Sequence, residues 1–152
     1  MKTNIYFLII LIMLSSIACS AENELPESTI KVSKSEWISM EVDSIDCTKI
    51  TITITYTGEF PGLYSDDYSL EVKKGETWFT LPYAIEIPNG GVAFSLVGIY
   101  LNQGNDNKWS TDFTDLYGNL PVGDYRIVKK IDILNNTGQP IVHYICAEFT
   151  IQ

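Results

Sequence analysis

Residues 47–57 read Cys-Thr-Lys-Ile-Thr-Ile-Thr-Ile-Thr-Tyr-Thr. Ile50, Ile52, Ile54 and Tyr56 fall on one face of an extended chain, and Thr51, Thr53, Thr55 and Thr57 fall on the other. That period of two is the signature of a strand with one buried and one solvated face, the usual condition of an antiparallel sheet. Working outward, further period-2 segments recur at 29–33, 36–43, 68–74, 77–81, 92–101, 124–134 and 141–151. Turn signals separate them, including Gly75-Glu76, Pro88-Asn89-Gly90-Gly91 and Asn135-Asn136-Thr137-Gly138. Two stretches read as connections, 58–67 and the polar 102–119. No mature segment keeps apolar residues at helical spacing for three turns. The expectation is an all-β domain over 29–152, with about seven to nine strands in two packed antiparallel sheets; a small closed barrel is the other arrangement of such strands.

Size and charge narrow the function. A chain of 152 residues with 45% hydrophobic residues suits one packed domain and no more. Ten basic against nineteen acidic side chains give a net charge of −9. That sign repels phosphate backbones, so no nucleic acid is expected as a partner.

The first residues read as an export signal. Met1-Lys2 is a short positive start, and Ile5–Leu14 is an uncharged apolar run too short for a bilayer span of roughly 20 residues. Ser16-Ile17-Ala18-Cys19 then resembles the lipobox of bacterial lipoproteins, with Ser16 where that motif usually has Leu. The resemblance implies a signal peptide over 1–18, cleavage before Cys19, and acylation of Cys19. Ordinary cleavage near Ala18 or Ala21, giving a secreted protein, is the alternative. Residues 19–28 are polar and acidic with Pro26, as a flexible tether would be. Removing the leader takes away Lys2 alone and leaves −10, which gives the domain no attraction to anionic lipid.

With Cys19 lipidated, Cys47 and Cys146 remain. Both lie opposite the apolar positions of their strands, so they either form one disulfide between neighbouring strands or stay as two free thiols.

Leu120-Pro121-Val122-Gly123-Asp124-Tyr125-Arg126 delivers a tyrosine, after a glycine turn, to the start of the penultimate strand. This resembles the tyrosine corner of immunoglobulin-like sandwiches, with Gly123 and Tyr125 as its residues. Together with Tyr68-Ser69-Leu70-Glu71, Gly75, Trp78, the stretch Leu116–Lys129 and Ala147-Glu148-Phe149, the chain from about residue 36 resembles the bacterial immunoglobulin-like domain of lipoproteins and secreted proteins, mainly of Firmicutes. The resemblance implies an immunoglobulin-like antiparallel β-sandwich outside the cytoplasm and no catalytic residues.

Chemistry-bearing residues are sparse. His143 is the lone histidine and is placed on the outer face of the last strand, with a surface or structural role. One histidine and two separated cysteines do not make a zinc set. Asp106, Asp112 and Asp115 with Asn105 and Asn107 lack the spacing of a calcium loop and read as a solvated loop. Asp66-Asp67 reads as a loop acid cap, not a glycosidase pair. Lys129-Lys130 interrupts the inward series of Tyr125, Ile127, Ile131 and Ile133, which a bulge or an edge position explains. Tyr100 and Trp109, flanking the polar connection, are the candidate ligand-facing aromatics.

The function expected is therefore non-catalytic and needs no cofactor: a membrane-anchored extracytoplasmic module for adhesion, spacing or interaction with a protein or glycan partner. The alternative is an envelope ligand carrier or hydrolase with a pocket that the sequence does not display.

Overall fold

A computed structural model describes residues 24–46, 48–85, 92, 94, 97–104 and 106–152. The leader, Cys19 and Cys47 lie outside the described residues. The strands are β1 (Ile38–Ile45), β2 (Lys49–Tyr56), β3 (Gly62–Tyr64), β4 (Ser69–Lys74), β5 (Thr77–Thr80), β6 (Ile99–Leu101), β7 (Asp106–Asp112), β8 (Gly123–Leu134) and β9 (Pro140–Ile151), with a one-turn helix α1 (Thr114–Tyr117). One sheet has the order β1-β2-β7, and the other joins β5, β4, β8, β3, β6 and β9. All pairings are antiparallel, so the fold is the expected two-sheet sandwich.

The alternation that opens the sequence reading is the centre of the core. Ile50, Ile52 and Ile54 are fully buried, and Tyr56 nearly so. From the facing sheet come Leu70, Ile127 and Ile131, also fully buried. Each such side chain contributes about 1.5–3 kcal/mol on leaving water. Ile127 stands where an antibody domain has a cysteine, so packing alone joins the sheets at this level.

β8 organises the second sheet. β9 pairs along its whole length on one side. On the other side β4 pairs with Tyr125–Val128 and β3 with Ile131–Ile133. Tyr64 is opposite Ile131 and Ser69 is opposite Val128, so four residues, 65–68, stand against only Lys129 and Lys130. The irregularity expected near these lysines is thus a wide bulge in the partner strands, while β8 itself runs on unbroken.

Several expectations need correction. Residues 29–33 form no strand. Gly62–Tyr64, expected in a connection, forms β3, because Gly62 fits between Leu101 and Ile133, where a Cβ would come within 3.0 Å of both side chains. Of 92–101, only Ile99–Leu101 is strand among the described residues, and Val97 and Tyr100 are exposed. The polar connection 102–119 contains β7 and α1: β7 pairs with β2 over seven positions, turning Asn107 and Trp109 inward. Residues 26–28, assigned by sequence to the tether, are already paired. Ser28 N–H donates to Trp78 O (2.9 Å) and Thr80 N–H to Pro26 O (2.9 Å), because β5 would otherwise present a bare edge.

Candidate functional site

The bulge creates a polar pocket inside the sandwich. Strand alternation points Lys129 inward between Ile127 and Ile131, and its side chain is fully buried. Nζ donates to the carbonyls of Ser65 (2.8 Å) and Asp67 (3.0 Å), which the bulge turns toward it. It also lies 3.7 Å from the centroid of Trp109 and 5.6 Å from that of Tyr64. Burial lowers the Lys129 pKa to about 8, with Asp67 and Asp66 opposing the shift. Backbone carbonyls and aromatic rings thus take the place of a directly bonded counterion, while the carboxylates of Asp66 and Asp67 in the bulge favour the charged form without an ion-pair contact.

Beyond Trp109 the bulge, the C-terminal half of β7 and α1 enclose an open cleft of about 430 Å³. Asp66 accepts from Trp109 Nε1 at 3.2 Å, tying the bulge to β7. Tyr68, Phe94 and Trp109 wall the cleft; Tyr68 meets the other two rings edge-on at 6.0 and 5.4 Å. Asp112 and Asp115 stand at its rim. Asp112 accepts from Thr114 Oγ1 (2.5 Å) and Thr114 N–H (3.0 Å), and the Thr114 hydroxyl bond does most to lower its pKa. Sequence reasoning missed this cleft, since its residues come from three separate segments. The aspartates were visible, but only the register of β7 on β2 gathers them beside Tyr68.

On the outer face of the same sheet Glu71 is fully buried and paired with Arg126, whose Nε and Nη2 donate to Oε2 at 2.6 and 2.5 Å. Ser28 Oγ donates to Oε1 at 2.5 Å, and the Arg126 guanidinium lies 4.6 Å from the Trp78 ring centroid. The N-terminal segment and β5 therefore close over this ion pair. Cys146, on the same outer face, carries a thiol that is free among the described residues and whose pKa burial raises. Cys47, its candidate partner, lies outside the described residues.

The other expected residues are placed as follows. Tyr125 Oη donates to Pro121 O at 2.7 Å, and its ring stacks on Phe149 at 5.7 Å. A Cβ on Gly123 would sit 3.5 Å from the Tyr125 ring, an ordinary contact, so glycine there clears the ring without being demanded. Tyr100 is 66% exposed on β6, whereas Trp109 is 9% exposed and belongs to the other sheet. They form no shared platform, because Lys129 and Tyr68 cover the Trp109 ring. His143 is not on the outer face: it pairs with inward Ile131 and meets Trp37 edge-on at 5.1 Å. Asp66 and Asp67 lie in the bulge, and Asp67 accepts from Ser65 Oγ. Asp106 and Asp112 sit at opposite ends of β7, and among the described residues no three His, Cys, Asp or Glu side chains converge for a metal ion.

Two antiparallel sheets, a penultimate strand entered through a tyrosine whose hydroxyl returns to the backbone four residues upstream, and a final hairpin define an immunoglobulin-like sandwich. The sequence agrees with that geometry: the family model described as bacterial Ig-like domain matches residues 31–150, and the chain belongs to this family. No curated protein matches it.

Proposed function

We propose that the protein is an extracytoplasmic lipoprotein whose Ig-like domain is a non-catalytic binding module, held at the cell surface through acylated Cys19. The observation that carries this reading is the extent of the family match, residues 31–150, which leaves at the N-terminus a segment composed as a leader, a cysteine after small residues, and a short polar tether. Domains of this family are typically extracellular. With residues 26–28 docked on β5, seven residues, 19–25, separate Cys19 from that contact, a chain length of at most about 25 Å. Several acyl chains on one cysteine, at about 0.8 kcal/mol per buried methylene, hold such a domain on the membrane. Its partner is a protein or glycan met at the cell surface.

Intact-mass measurement of the protein extracted from its native membrane tests the reading. The expected mass is that of residues 19–152 plus acyl chains. A mass without lipid, starting near Cys19 or Glu22, means secretion as a free protein and overturns the anchor.

A further inference from the structure

Residues 24–35 lie against the sandwich without entering its core. None of them is buried, and none belongs to the core cluster or to the apolar side chains packed on it. What seats them is polar. Pro26 O and Ser28 N–H pair with Thr80 and Trp78 of β5, Glu27 bridges Phe79, and Ser28 Oγ donates to the buried Glu71 carboxylate. Further along, Ser33 N–H donates to Tyr144 O of β9 (2.7 Å). By contrast β9 pairs with β8 over twelve positions and sends Ile145, Ala147 and Phe149 into the core. A segment with few apolar contacts and exposed backbone bonds opens locally, at far lower cost than the fold around it.

The open state leaves no buried polar group orphaned. Glu71 keeps Arg126, whose Nε and Nη2 both reach Oε2, and water takes the place of Ser28 on Oε1. Thr80 N–H and Trp78 O meet water at the sheet edge. The family match begins at residue 31, so β5 and its neighbour β4 lie within the matched segment while the residues seated on β5 lie before it.

We propose that residues 24–30 are a releasable strap: they leave β5 while the sandwich stays folded, baring the β5 edge and lengthening the chain between Cys19 and the domain. Docked, the seven residues 19–25 span at most about 25 Å; released as far as Ser33, the fourteen residues 19–32 span at most about 50 Å. The opening stands on the contacts alone, and its effect on the distance from the membrane rests on the reading of Cys19 as the anchor.

Native-state hydrogen exchange of the full protein in detergent, followed amide by amide by NMR at rising sub-denaturing urea, tests it. The Thr80 amide is expected to be protected about 100-fold less than those of Ile52 and Ile54 in β2, and urea is expected to change its rate little. Phe79, whose N–H strand alternation turns toward β4, is expected to be protected at least about tenfold more than Thr80. Ser28→Ala, which removes the bond to Glu71 and no core side chain, is expected to speed Thr80 about tenfold and to leave Ile52 and Ile54 unchanged. Thr80 exchanging with the protection and urea dependence of Ile52 overturns the proposal, because the segment then opens only with the whole fold. Equal protection of Thr80 and Phe79 overturns it too, since β5 then frays as a unit. So does an equal loss of protection at Thr80, Ile52 and Ile54 in the Ser28 variant. Weak Thr80 protection in a protein whose mass shows no lipid keeps the strap and ends the anchor; strong Thr80 protection in an acylated protein ends the strap and keeps the anchor.

Discussion

Lys129 Nζ stands 3.7 Å from the centre of the Trp109 indole, inside the sandwich and without a carboxylate bonded to it. The two residues come from different sheets, so the contact ties the sheets together at the level where the bulge 65–68 opens the second one. The same bulge supplies the carbonyls that satisfy Nζ and carries Asp66, which accepts from Trp109 Nε1.

The depressed Lys129 pKa gives the protein a pH-dependent stability with a definite sign. The folded value is about 8 and the unfolded value 10.5, so below pH 8 both states are protonated and the cost of burying the charge is fully present. As pH rises from 8 toward 10.5 the unfolded state holds a proton the folded state has lost, and stability increases. Unfolding free energies from urea titrations at about pH 7 and pH 9.5 are expected to favour the higher pH, Lys129 contributing about 2 kcal/mol and Cys146 offsetting part of it. Buried Cys146 acts in the opposite direction, since its unfolded thiol ionises near pH 9 while burial raises the folded value, and buried Tyr64, Tyr68 and Tyr125 oppose the gain above pH 10. Lys129→Met removes the rise with pH; an unchanged rise assigns it to other groups.

Tyr125→Phe deletes the hydrogen bond to Pro121 O while keeping the ring on Phe149. The expected loss is about 1–2 kcal/mol in denaturant unfolding at constant m-value. A loss below a few tenths would mean that the corner does not fasten the crossover to β8.

Arg126→Met leaves Glu71 buried beside Ser28 without its cation. That is expected to cost about 3–5 kcal/mol, whereas the double change Glu71→Leu with Arg126→Met recovers most of it. Chemical denaturation of the three proteins makes the comparison.

Cys146 is expected to react slowly, since burial raises its pKa and thiolate is the reactive form. Peptide mapping after timed alkylation at neutral pH should find the Cys146 peptide modified far more slowly in the native protein than in urea, and recovered as free thiol without reductant. Recovery only after reduction would mean a disulfide.

The central strand, the last hairpin, the turn at Gly75 and the tyrosine corner were legible because each depends on local pattern: Ile50-Ile52-Ile54, Tyr125 after a turn, a glycine at φ 61°. β7 was not, because Asn107, Lys108, Ser110 and Thr111 lack strand-like apolarity and become a strand only by pairing with β2. Lys129 broke the inward pattern in the sequence, and the break marked a real feature, yet the bulge that accommodates it lies some sixty residues earlier. Trp109 was seen as a candidate aromatic, but its burial depends on that same bulge.

Detergent-phase partitioning of the wild-type protein against Cys19→Ala, both expressed with the leader, asks most directly whether this sandwich is a surface-held module. The wild type is expected in the detergent phase and the variant in the aqueous phase. Equal partitioning of the two would contradict the account, whichever phase they share.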